Sequence, residues 1–131
     1  MKKKLILIGV LSVLALTACG PKSVSVSNLD PTQFHAKTQE SGVVTIDVRT
    51  PDEFNAGHIA GAINIDVEAS TFGREIAKLN KSTGYAVYCH SGRRSGIATE
   101  KMIKTKFLSV FNLTNGIQGW MSEGLPLVRT Q

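Results

Sequence analysis

Val43-Val44-Thr45-Ile46-Asp47-Val48 is a run of mostly β-branched apolar residues without polar alternation, the pattern of a strand buried on both faces of a parallel sheet. Tyr85-Ala86-Val87-Tyr88-Cys89 repeats it, and Ala62-Ile63-Asn64-Ile65 and Val110-Phe111-Asn112-Leu113 read as shorter strands. Helical segments separate them. The first is announced by Asp30 as N-cap, Pro31 at the first helical position, Gln33 completing a capping box, and Leu29 with Phe34 as a hydrophobic staple; it should end near Glu40. Thr50-Pro51-Asp52-Glu53 is a second capping box and starts a short helical turn. Phe72, Ile76 and Leu79 share one face of a helix over 70–80. A further helix runs from Ser95 to about Thr105 with Ala98, Met102 and Ile103 inward, and a last short one spans Ile117 to Met121. Trp120 and Phe111 read as core residues. Strands alternating with helices imply right-handed crossovers and a mostly parallel sheet with helices on both faces.

The first residues do not belong to that pattern. Lys2, Lys3 and Lys4 precede an apolar run, Leu5 to Leu16, which passes into Thr17-Ala18-Cys19-Gly20. This is the layout of an export signal, and the run is too short for a spanning helix of about 20 residues. Leu16-Thr17-Ala18-Cys19 resembles the lipobox of bacterial lipoproteins, which implies cleavage before Cys19 and a lipid on its sulfur. Residues 1–18 are then a signal peptide, 19–28 a lipidated cysteine and tether, and 29–131 the single domain. Val24 and Val26 alternate with serines, so the tether can also hold a first edge strand. Gly20 stands where inner-membrane retention is associated with an aspartate. By that resemblance the protein is exported and lipid-anchored, to the outer membrane facing the periplasm if the cell has two membranes.

Cleavage also changes the charge argument. The formal charge is +5, from 15 basic and 10 acidic residues, but loss of Lys2, Lys3 and Lys4 leaves 12 basic against the same 10. A balance of +2 gives no support to a nucleic-acid partner. With Cys19 lipidated, the other cysteine, Cys89, is a lone thiol.

A lone cysteine is usually a small buried hydrophobe, so its context decides. Cys89 ends a central strand, where open α/β sheets place their ligands. The loop after it, His90-Ser91-Gly92-Arg93-Arg94, feeds a helix N-terminus whose free N–H groups favour an anion. Gly92 lets the backbone curl, Ser95 can cap the helix, and Arg93 and Arg94 add positive charge. Such surroundings favour thiolate over thiol. No further Cys or His lies at ligand spacing, so no metal site is expected.

Cys89-His90-Ser91-Gly92-Arg93-Arg94-Ser95 resembles the active-site loop of rhodanese-domain sulfurtransferases. Two other blocks match in order: Ile46-Asp47-Val48-Arg49-Thr50-Pro51-Asp52-Glu53-Phe54 with Gly57-His58-Ile59-Ala60-Gly61-Ala62, and Asn112-Leu113 through Gly116-Ile117, Trp120 and Gly124-Leu125-Pro126. The resemblance implies a rhodanese-like α/β fold with a mostly parallel five-stranded sheet. It further implies that Cys89 takes a sulfane sulfur from a small anion such as thiosulfate and yields it to a thiol, cyanide or a protein acceptor, with no cofactor. Residues 90 to 95 would bind the substrate, Arg94 bracing the loop by internal hydrogen bonds. Arg93 would face the pocket mouth or lie solvated. Asp47 and Arg49 would pair with one another or with nearby backbone, His58 would be a hydrogen-bonding prop, and His90 would point outward. Asn115 and Asp66 depart from the family's usual glycine and proline.

Phosphatases and arsenate reductases of the same group carry five residues between Cys and Arg. This chain has four, which suits a sulfur atom better than a tetrahedral oxyanion. A non-catalytic or relay module, presenting persulfide to a protein partner in the cell envelope, is the alternative.

Overall fold

The structure is a computed structural model that describes residue 20 and residues 23–131; the signal segment and the lipobox cysteine lie outside the described residues. Ten elements follow one another: β1 (Ser27–Leu29), α1 (Pro31–Thr38), β2 (Val43–Asp47), α2 (Pro51–Ala56), β3 (Ile63–Asn64), α3 (Phe72–Ala77), β4 (Gly84–Tyr88), α4 (Arg93–Lys104), β5 (Ser109–Leu113) and α5 (Gly116–Ser122). The five strands form one sheet in the order β1-β5-β4-β2-β3, with every neighbouring pair parallel. The expected mostly parallel sheet is therefore wholly parallel, and the carboxyl ends of all strands point the same way.

Central β4 shows how the sheet divides the core. Tyr85, Val87 and Cys89 enter one apolar layer with Phe72, Ile76, Ala98 and Met102 of α3 and α4. Ala86 and Tyr88 enter the other with Phe34 of α1 and Ile117 and Trp120 of α5. Side chains alternate along a strand, so a run that is apolar at every position is what two covered faces require.

Both capping boxes form: the Gln33 and Glu53 backbone N–H groups donate to the Asp30 and Thr50 side chains at 2.8 and 3.4 Å, and each is answered by the reciprocal bond. They fix the starts of α1 and α2. Some expected bounds move. The first strand lies at 27–29 rather than at Val24 and Val26, because its pairing with β5 begins opposite Phe111. The helix over 70–80 is regular only through α3, and the strand around Ile63 shrinks to two residues at the sheet edge. Phe111 is half-buried rather than core, since it faces the side of the sheet near the β1 edge, where the Lys37 ammonium covers its ring at 4.5 Å.

Candidate active site

Cys89 is the first residue beyond β4, and α4 begins only four residues later. The chain can turn so tightly because Gly92, the residue before α4, takes a left-handed conformation with φ of 100°. A side chain is disfavoured there on backbone grounds, and a Cβ at Gly92 would collide with the Thr114 carbonyl. The turn aims the Gly92 N–H at the Cys89 sulfur, 3.1 Å away. Burial pushes the thiol up, but hydrogen bonds from the Ser95 hydroxyl and from the N–H groups of Ser95, Gly92 and Ser91 outweigh it and hold the pKa below the ordinary cysteine value. Cys89 is 0% exposed, so the sulfur lies under its own loop.

Ser95 was expected to open and cap the helix. Instead α4 starts at Arg93, because the left-handed Gly92 already closes the first turn, and the buried Ser95 hydroxyl turns inward, where its single proton serves either the Gly92 carbonyl at 3.2 Å or the sulfur. Ser95 thus belongs to the anion cradle rather than to the cap.

The outside of the loop is held by the start of α5. The N–H of Ile117 donates to the Cys89 carbonyl at 2.9 Å and that of Gln118 to the His90 carbonyl at 3.2 Å. Gly116, with φ of 57°, lies so close to His90 and Ser91 that a Cβ would collide with their backbone. Asn115 keeps an ordinary φ of −101°, so its replacement of the family's glycine leaves the turn intact; Gly116 takes the left-handed position.

Arg94 does not brace the loop internally. Its guanidinium makes a two-pronged pair with Glu53, both bonds 2.8 Å, and approaches Glu68 at 3.4 Å, so it ties the loop to α2 and to the segment after β3. Planar, two-point, charge-assisted pairing is what a guanidinium gains from a carboxylate and a single carbonyl does not offer. Arg94 holds the Glu53 carboxyl down at about 2 against its ordinary 4.5, with help from Thr50. A depressed carboxyl stabilises the fold above its ordinary pKa and loses that contribution as pH falls through the folded value. The stability gap between the parent and Glu53→Gln should therefore be full above pH 4.5 and close between 4.5 and about 2. Denaturant unfolding at stepped pH measures it; a gap independent of pH would show that the charge on Glu53 contributes nothing.

Beside the loop, Asp47 and Arg49 form a buried pair. The Arg49 Nε and Nη2 reach the carboxylate at 3.0 and 2.7 Å, the Asp47 Oδ1 also accepts the Arg49 N–H, and Nη2 donates to the Gly57 carbonyl at 2.6 Å. His58 bonds through Nδ1 with the Phe54 carbonyl at 2.9 Å and stacks on the Phe54 ring, away from Cys89. Arg49, Gly57 and exposed His90 line an open cavity of about 320 Å³ together with Ile117, Met121 and Leu127. Arg93 is exposed and does not line it. The structure therefore gathers Cys89, the loop and Ser95 around one sulfur, with His90 and Arg49 at its mouth. Glu53 and Gly116 join the site only in the fold: in the sequence Glu53 stands as the capping-box residue of α2, with no local sign of a partner 41 positions away.

Comparison with known proteins agrees with this geometry. The family model of the rhodanese-like domain matches residues 30–123. The Escherichia coli protein YibN, uncharacterised, is 38% identical over 89 residues, 66% of this chain and 61% of its own length, so the chain spans about three fifths of that relative. Thiosulfate sulfurtransferase 16 of Arabidopsis thaliana is 33% identical over 91 residues, covering 62% of this chain and 76% of that protein. A rhodanese-related crystal structure from Thermoplasma volcanium superposes with a TM-score of 0.70 at 30% identity, over 79% of this chain and 99% of that one.

Proposed function

The chain belongs to the rhodanese-like domain family, and from that membership and the cradle around Cys89 we propose that it is a sulfurtransferase acting through a persulfide on Cys89. The observation that carries the reading is the Gly92 N–H aimed at the buried Cys89 sulfur from 3.1 Å at the start of α4, and hydrogen bonds of this kind hold the thiol below its ordinary pKa. A thiolate held this way attacks the outer sulfur of a donor such as thiosulfate. A sulfur–sulfur bond forms to Cys89, the donor's own bond breaks, and sulfite leaves with the electron pair. The persulfide keeps one negative charge, which the N–H groups of Ser91, Gly92 and Ser95 can hold as an oxyanion hole holds oxygen. Cyanide or a thiolate then takes the outer sulfur and returns the Cys89 thiolate, so the cycle is a double displacement.

Glu53, His90 and Arg49, the last already paired with Asp47, give the mouth its polar edge, and Ile117, Met121 and Leu127 its apolar wall. Four residues between Cys89 and Arg94, with Arg94 turned out to Glu53, make a short loop, which favours a single sulfur over a tetrahedral oxyanion. Mixing the protein with thiosulfate should add ~32 Da, one sulfur as a persulfide, which cyanide or a thiol removes. Absence of the adduct with every sulfane donor, or turnover of phosphate esters or arsenate without it, would overturn the reading. The lipid on Cys19 belongs to the same proposal: it would leave Cys89 the lone thiol and hold the domain at a membrane surface.

A further inference from the structure

Because the sheet is wholly parallel, the molecule has two unlike ends. Cys89 and its loop lie at the carboxyl ends of the strands. The opposite end carries the turns before β4 and β5 and the last turn of α4, and it has a different character. Leu108, at 58%, is the most exposed large apolar side chain among the described residues; Val24, 40% exposed, lines the same shallow cleft, with Lys106 at its rim. The Leu108 N–H donates to the Lys81 carbonyl at 3.0 Å, which ties the two lysine-bearing turns together. Lys81, Lys104 and Lys106 are exposed and join no ion pair among the described residues, whereas the nearby acids Glu40 and Glu75 are already paired with Lys37 and Lys78. The end thus carries a protruding leucine with Lys106 beside it and Lys81 tied to it through the backbone, the Lys81 ammonium lying over the Phe107 ring at 5.9 Å.

Lys106 adds an independent sign. It is the lone non-glycine residue with positive φ among the described residues, at 75°, and it follows the C-cap of α4, where glycine is the favoured occupant.

We propose that this end rests on the headgroups of an anionic phospholipid membrane, with Leu108 entering the interface and the lysines contacting lipid phosphate. The occupant follows from where the chain leads. Val24, part of the patch, is five residues from Cys19, a reach of at most about 17 Å, so a lipid on Cys19 brings the bilayer against this end and turns Cys89 outward. The charge of this end is complementary to anionic headgroups, since Lys81 and Lys106 are exposed and join no ion pair among the described residues. The proposal uses the anchor only for the direction of approach, and the two are tested separately.

All ten elements lie between Ser27 and Ser122, so a chain beginning at Gly20 keeps the whole fold without the lipid. That fragment should co-sediment with vesicles of phosphatidylglycerol and phosphatidylcholine, release with added salt, and ignore phosphatidylcholine alone. Each lysine near such a surface contributes about fivefold in affinity, so Lys81→Gln and Lys106→Gly should each weaken binding by about that factor, and Leu108→Ser further. Lys106→Gly should at the same time raise the melting temperature, because glycine relieves the backbone; a variant more stable yet worse at binding cannot be explained by misfolding. Sulfur loading at Cys89 should be unchanged in all three. Binding unaffected by these substitutions, equal binding to neutral vesicles, or a preference for duplex oligonucleotide over anionic vesicles would overturn the proposal. Fatty-acid labelling of the full chain that vanishes in Cys19→Ser supports the anchor, and its absence overturns the anchor while the vesicle result stands.

Discussion

Replacing Cys89 with serine is expected to give a folded protein that takes up no sulfur at all. The cradle is built to stabilise an anion, but it acts on whatever acidity the side chain already has. A cysteine thiol is already far more acidic than an alcohol, and the hydrogen bonds around Cys89 outweigh its burial and hold its pKa below the ordinary value. A serine hydroxyl starts far higher, and the same donors leave it protonated. Serine nevertheless fits the space. Cys89 is fully buried against Val87, Ala98 and Met102 on one side and accepts the Gly92 N–H on the other, and a hydroxyl oxygen can accept that bond in its place. The cost should stay within about 1–3 kcal/mol, the range for an imperfectly satisfied buried polar group. Mass spectrometry after thiosulfate treatment, with thermal unfolding on the same samples, separates the two effects. A serine variant that still gains sulfur would move the chemistry away from Cys89.

Asp47→Ala should have the largest effect on stability, about 3–5 kcal/mol, because it strands a buried charge. Asp47 is 0% exposed and Arg49 5%. With the carboxylate gone, the guanidinium keeps the Gly57 carbonyl and the face of the Tyr88 ring, 5.7 Å away, but nothing that neutralises it. Removing both charges in Asp47→Ala/Arg49→Met should recover much of the loss, since the penalty comes from the unpaired partner more than from the missing bond. Urea unfolding of the two variants measures it. A single variant within about 1 kcal/mol of the parent would mean that water reaches Arg49.

What could be read in advance was local. The strand ending at Cys89, the two capping boxes and the apolar face of α4 each rest on residues a few positions apart. The boundary between loop and helix was misplaced at Ser95 because the left-handed turn at Gly92 does the work of a cap without a capping side chain. Arg94 is a brace, as its planar guanidinium suggests, but it ties the loop to α2 rather than to itself, because its carboxylate partner Glu53 lies 41 positions away and only the fold brings the two together. Phe111 was assigned to the core from its apolarity, although its place on the sheet leaves it beside Lys37.

Gly92 and Gly116 bring two stretches of bare backbone together around the nucleophile, one against Thr114 and the other against His90 and Ser91. No side chain stands between these stretches, so ordinary substitution has nothing there to adjust in small steps: a change at either position breaks the contact rather than retuning it. Divergence among proteins built this way is therefore channelled outward. Under the proposed sulfur transfer, preference for donor or acceptor is set at the rim, through side chains such as Met121, Leu127 and His90 that can change without disturbing this contact.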